Sequence, residues 1–437
     1  MSFQTVKEGI AKFVNSIIYI GILAFLSFLC WVVKGIWIWC FLPFYALLCF
    51  LPLFCEDGRG YLPLVLFPIF ITNTDIHFKG GIPIGMIFSI VTFVFSLALF
   101  LLIKRPKMIT GSIFFSLLAL YCVFLFSFLY STIRYGKSGR VGVLYLIAMF
   151  LLLCIYALMS SALGKKETIP YFSEAMVCFS LAASAEVFVV LLTEGELGLA
   201  SVNFTLGWSY TRETVSSILT LSLPFFSILI SKKKPIWLVP EFFVLTTIIL
   251  LSTDSSLLSL LFFAIPNIIL TLKDYSRSYP YYVMLCLLVI GSTFGILMGI
   301  SETFNQRIAK AISRLNFFSE DSLTYFKPAI NSFLENPLLG KSITSIVKPN
   351  GTILLPNNTI LSVMQLGGSF GLICFLAYEI SLYVVLGRKD TKQKWFFLLF
   401  CLNVELIGLI DNTIFNIAIL LISLMTFSVY QQSNRLD

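Results

Sequence analysis

Apolar runs of roughly 20 residues, each closed by a short charged or polar stop, recur from residue 17 to residue 430. A helix rises 1.5 Å per residue, so a run of that length matches the hydrocarbon thickness of a bilayer. The runs lie at 17–33, 36–54, 61–76, 82–103, 111–130, 141–163, 171–192, 214–231, 235–251, 256–272, 280–300, 359–386, 395–410 and 413–430. The third is short and carries Pro63 and Pro68, which leaves about 12 to 14 spans. Composition agrees: 58% of the residues are hydrophobic and 12% charged, against about 25% charged in soluble domains. The expected fold is all-α, a polytopic transmembrane helical bundle with residues 1–437 as a single integral membrane domain.

The opening segment, MSFQTVKEGIAKFVNS, reads as a short amphipathic lead into the first span, and no small-residue cleavage pattern follows it. Nine cysteines fall inside apolar runs and Cys55 in a loop, a scatter with neither disulfide nor metal-ligand spacing. No cofactor or metal is expected. The formal charge of +8 does not point to nucleic acid, because the basic residues sit in short loops between spans. Lys104/Arg105/Lys107, Lys165/Lys166, Lys232/Lys233/Lys234, Lys273/Arg277 and Arg388/Lys389/Lys392/Lys394 occupy alternate loops, which the positive-inside rule assigns to the cytoplasm. Parity then puts the C-terminus in the cytoplasm and residues 301–358 outside, in a multi-pass protein of the plasma membrane. Arg134/Lys137/Arg140 alone falls on the opposite side.

The long outer segment is patterned as helix. Ile308, Ala311, Ile312 and Leu315 mark one period and Phe326, Ile330, Phe333 and Leu334 a second, ended by Pro337 and Gly340. On the first of these helices Arg307, Lys310 and Arg314 are spaced i, i+3, i+7 and share a face. Such a stripe suits a phosphate or pyrophosphate, and equally suits lipid headgroups. Arg212 and Glu213 open a span after Gly207-Trp208, with Trp208 and Tyr210 as interface aromatics, and Thr253, Asp254, Ser255 and Ser256 read as caps of the next span pair. Glu174, Glu186 and Glu405 lie within apolar runs, where a carboxylate marks either a functional site or a hydrogen-bonded helix contact. The single histidine, His77, reads as a surface residue.

"FLENPLLG" at 333–340, followed by "NNTILSVMQLGGSFGLICFLAY" at 357–378, resembles the paired motifs of the O-antigen ligase and polysaccharide polymerase family of bacterial membrane glycosyltransferases. "TLGWSYTRETVSSILTLSLPFF" and "STDSSLLSL" are similar to that family's upstream elements, so the likeness covers roughly residues 200–390. Glu335, Asn336, Pro337, Gly340, Asn358, Gly367 and Gly371 match the pattern. Asn357 stands where most members have histidine, and Ser256 and Ser322 stand where members carry arginine.

The resemblance implies a polymerase that moves a growing glycan from its polyprenyl pyrophosphate carrier to a hydroxyl of an incoming lipid-linked unit. Arg212, Arg307, Lys310 and Arg314 would then bind pyrophosphate, Glu335, Asp321 or Asp254 would serve as base, and Asn357 and Asn358 would bind sugar. Asparagine cannot inherit a histidine's role as base. The cations must meet at headgroup depth for this chemistry. The implied partners are the polyprenyl-pyrophosphate-linked oligosaccharide, membrane lipid, a chain-length regulator and a flippase. Two alternatives stay open: a ligase delivering finished glycan to lipid A core or protein, and a lipid-linked sugar transporter or a non-catalytic assembly scaffold.

Overall fold

In the computed structural model the described residues are 3–32, 37–70, 84–105, 111–135, 140–163, 167–200, 212–231, 235–273, 320–342, 358–388 and 393–433, with isolated positions between 284 and 309. Regular structure among them is entirely helical: α1 (Phe3–Val14), α2 (Ile17–Val32), α3 (Trp37–Phe54), α4 (Tyr61–Phe70), α5 (Ile84–Lys104), α6 (Ser112–Tyr135), α7 (Arg140–Ala162), α8 (Thr168–Ala200), α9 (Arg212–Ser231), α10 (Leu238–Leu251), α11 (Asp254–Lys273), α12 (Glu320–Glu335), α13 (Thr359–Gly387), α14 (Lys394–Ile410) and α15 (Ile417–Ser433). Five described helices are long and apolar enough to cross a membrane, or six if α1 and α2, bent by 61°, count as one span. Large apolar side chains cover the outside of these helices, among them Phe126 (63% exposed) and Ile380 (63%), which only lipid tolerates at that density. The chain is therefore a membrane helical bundle, and it packs as two compact units.

Unit 1 comprises Met1–Asp75, Gly164–Leu315 and Thr391–Leu406. Its axis is α9, in which every residue from Thr214 to Ile230 is buried. Some of its buried hydroxyls bond back to its own carbonyls, as Thr220 does to Ser216 (2.7 Å) and Ser222 to Leu219 (2.6 Å). Phe225 of α9 meets Phe172 of α8 and Phe400 of α14 edge-on, at 5.3 and 5.7 Å between ring centres. At one end of this unit Tyr171 Oη donates to the Val14 carbonyl (2.7 Å) and Tyr19 Oη to the Gly60 carbonyl (3.2 Å), tying the α1–α2 corner to the start of α8. The doubtful third run begins with α4, whose 10 residues reach only about 15 Å, half a bilayer. Described α4 side chains are buried, and the helix lies beside α2 and α8.

Unit 2 comprises Ile76–Leu163, Asn316–Asp390 and Ile407–Asp437. Side-chain bonds fix which helix ends lie together. Gln432 Nε2 donates to the Leu163 carbonyl (2.6 Å), Tyr430 Oη to the Leu386 carbonyl (3.3 Å) and Tyr156 Oη to Gln431 Oε1 (2.6 Å). The ends of α7, α13 and α15 thus share one end of the unit, and Lys165-Lys166 and Arg388-Lys389 follow two of them in sequence. Asn358 and Thr359 at the start of α13 bond to the α14–α15 turn, so these groups share the other end.

The amphipathic face of α12 divides in two. Ala329 and Ser332 are buried, whereas Ile330 and Leu334 of the expected apolar face, with Leu338 beyond the helix, stand exposed in an i, i+4, i+8 row. In intact cells Leu334→Cys should react with a membrane-impermeant maleimide, and Arg388→Cys only after the membrane is opened. Equal reactivity of both would break the assigned alternation.

Candidate functional site

Gly368 divides α13. Its backbone lies at φ 61°, ψ −152°, a region that only glycine occupies without strain. A helix interrupted in lipid frees backbone groups that cost several kcal/mol each if nothing bonds them. Here a short turn does. The Ser369 amide donates to the Pro337 carbonyl (2.8 Å) and the Phe370 amide to the Leu338 carbonyl (3.3 Å). On the other side of the break, the Gln365 carbonyl accepts the Lys341 amide (2.8 Å) and the Leu366 carbonyl accepts Ser127 Oγ of α6 (2.7 Å). Residues 336–341 therefore seal the gap.

The turn has the residues this docking needs. α12 ends at Glu335, and the Gly340 amide returns to the Asn336 carbonyl (2.8 Å). Pro337 contributes a carbonyl without an amide to satisfy. Gly340 is itself at φ +67°, and a Cβ there would stand 2.5 Å from the Gln365 carbonyl oxygen and 2.8 Å from the Gly368 nitrogen. A Cβ on Gly368 would in turn collide with the Leu338 carbonyl oxygen. Gly367 serves another contact: its Cβ position lies 3.1 Å from Phe124 of α6, so the glycine lets the two helices close.

Charged and amide groups rim this joint. Lys341 pairs with Glu335, and Ser131 Oγ donates to the Lys341 carbonyl (3.4 Å). Arg134, over the ring of Tyr130, donates to Asn336 Oδ1 (3.4 Å). The one loop against the positive-inside pattern thus begins beside the turn that plugs α13. Asn358 caps α13, its Oδ1 accepting the Leu361 amide (3.0 Å), and its Nδ2 donates to the Leu409 carbonyl (2.9 Å). Both ends of that amide hold the fold. Thr359 Oγ1 accepts the Thr413 amide (2.9 Å), and Asn412 Nδ2 donates to Ser362 Oγ (2.6 Å).

In unit 1 the half-buried Arg212, first residue of α9, donates from Nη2 to Ser252 Oγ (3.0 Å). Ser252 closes α10 in the left-handed region (φ 42°), and α11 starts two residues later. Ser256 is fully buried, at 2.6 Å from Thr253 Oγ1 across the corner, so the position that carries arginine in the resembled family is structural here. Asp254 sits half-buried in the first turn of α11, where its charge complements the helix dipole. Glu186 of α8 is buried with neither oxygen hydrogen-bonded among the described residues.

Glu335, Asn336, Lys341 and Asn358 belong to unit 2, Arg212 and Asp254 to unit 1. Arg307, Lys310, Arg314, Asn357 and His77 lie outside the described residues, as does the side chain of Asp321 in the first turn of α12. Ser252, Lys341 and Ser127 were not singled out by the sequence pattern. Arg134 carried a signal, its side of the membrane. Among the described residues no three of His, Cys, Asp or Glu gather as metal ligands. No family model matches the chain, and no curated protein matches it.

Gly368→Ala should cost about 2–5 kcal/mol, the sum of left-handed strain and backbone overlap, read as a lower melting temperature in detergent. Gly387→Ala, with nothing within 4 Å of its Cβ position, is the control and should be near neutral. Equal stability of the two variants would contradict the plugged break.

Proposed function

We propose that the chain is a polytopic membrane glycosyltransferase that polymerises polyprenyl-pyrophosphate-linked oligosaccharide units of a bacterial capsule, exopolysaccharide or O-antigen. It works in the plasma membrane, with about 12 to 14 spans, residues 301–358 outside and the basic helix ends in the cytoplasm. One observation carries the reading. Of the two segments that resemble the family, 333–340 and 357–378, the backbone of the first completes the broken helix of the second. That joint supports a shared role for both motifs.

In this reading a hydroxyl of the incoming lipid-linked unit attacks the anomeric carbon of the growing glycan. The new C–O bond forms as the bond to pyrophosphate breaks, and the electron pair leaves with the pyrophosphate. Arg212 and the Arg307–Lys310–Arg314 stripe neutralise that leaving group. The hydroxyl proton passes to a carboxylate, Glu335, Asp321 or Asp254, and then to water. Glu335 pairs with Lys341, which holds it in place. Asn358 positions the outer end of α13, and Asn357 contacts sugar. No metal or nucleotide takes part. A flippase supplies the substrate and a chain-length regulator acts on the product.

A transporter commonly leaves the backbone of a broken span open to its ion or substrate. The four backbone groups described at the α13 break are instead bonded by protein, which favours a fixed scaffold. The ligase reading differs in acceptor: loss of a ligase leaves long lipid-linked polymer, loss of a polymerase leaves single units.

Arg212→Ala, and separately the double change Arg307→Ala with Arg314→Ala, should each cut polymer formation by about a hundredfold, as removal of a charge-stabilising donor does. The readout is surface polysaccharide length on a gel at matched protein abundance. Unchanged chain lengths in both would remove these cations from the mechanism.

A further inference from the structure

Asn358, Ser362 and Gln365 are spaced i, i+4, i+7 on α13 and so form one row running inward from its outer end to the break. The first two are spent on the fold: Asn358 on the cap and the Leu409 carbonyl, Ser362 on Asn412. Gln365 is different. Its backbone carbonyl takes the Lys341 amide, which places it beside the plugging turn. Its side chain is only 7% exposed, and Oε1 is buried without a hydrogen-bond partner among the described residues. Asn412 repeats the pattern from the facing turn, because Nδ2 is bonded to Ser362 while Oδ1 is buried and unmatched among the described residues.

An unmatched buried carbonyl is a standing cost, and a leucine at 365 would avoid it without a change of helix propensity. Two such oxygens, one on the row and one bonded to it through Ser362, are acceptors waiting for donors. Both are acceptors, so they do not suit phosphate, which brings acceptors of its own, and two neutral oxygens are too few to hold a hard metal cation by themselves. Hydroxyl groups are the matching chemistry, since each brings an O–H donor. We propose that Gln365, assisted by Asn412, is a sugar-recognising residue that accepts hydrogen bonds from glycan hydroxyls. The assignment rests on the transferase reading and supplies the sugar contact that Asn358, with both ends engaged, does not make.

The test uses Gln365→Leu in the full-length protein, expressed in cells lacking the native gene. Removal of an unmatched amide should leave the melting temperature in detergent unchanged or raise it by about 1–2 °C. Polymer should nevertheless fall at least tenfold at matched abundance, while Gln365→Asn, which keeps an amide, should recover part of it. Normal polymer from Gln365→Leu overturns the proposal. A melting temperature several degrees lower also overturns it, because the amide would then be satisfied by bound water and structural. Gene deletion separates the two levels: if polymer survives deletion, the transferase reading falls together with this inference. Lost polymer on deletion but normal polymer from Gln365→Leu removes only the role of Gln365.

Discussion

A bilayer offers no water to an interrupted helix, and unit 2 is organised around that constraint. α13 stops being helical at one residue, Gly368, and the donors and acceptors released there find partners in the 336–341 turn and in Ser127. The turn in turn requires Pro337, whose missing amide needs nothing, and Gly340, whose backbone lies against that of Gly368. Neither segment is stable in its observed form alone. The turn needs the broken span to receive its carbonyls, and the span needs the turn to close its gap.

From that joint follow the positions of the groups that surround it. Glu335 and Lys341 pair across the ends of the turn, so locking the turn also locks the carboxylate. Arg134 reaches Asn336 from the end of α6, and the same helix supplies Ser127 and the Phe124 ring that packs on Gly367. α6 and α13 run antiparallel against each other, and their contact passes through the glycine pair. The N-terminal end of α13 is held separately, by the Asn358 cap and the Thr359–Thr413 contact. Gln365 lies between these two anchors with a buried Oε1 that has no partner among the described residues. Rigid anchors on both sides of an unsatisfied group are the arrangement expected of a binding residue, because orientation is settled before the ligand arrives.

Much of the scaffold was legible from hydropathy. The run at 359–386 is α13 to within a residue, and the run at 214–231 is α9 with two residues added. Gly367 and Asn358 stood out only as members of the resembled pattern. Their partners were hidden for a physical reason: Leu338 and Leu409 take part through backbone carbonyls, which every residue has. Side-chain identity cannot reveal such contacts. The periodicity of Phe326, Ile330, Phe333 and Leu334 falls on α12, but it does not tell which of them the fold covers, and Ile330 and Leu334 are exposed. Gln365 was passed over because one amide in an apolar run looks like helix packing until its burial and lack of a partner are seen together.

The central claim is that the 336–341 turn is bonded into the break of α13 as part of the span. Amide hydrogen exchange of the full-length protein in lipid nanodiscs addresses it directly at Lys341, Ser369 and Phe370. The account predicts that these three amides exchange as slowly as their neighbours in the two arms of α13. Exchange at the rate of an open surface loop would mean that the break is not sealed, and the arrangement of Glu335, Asn336 and Gln365 around it would no longer stand.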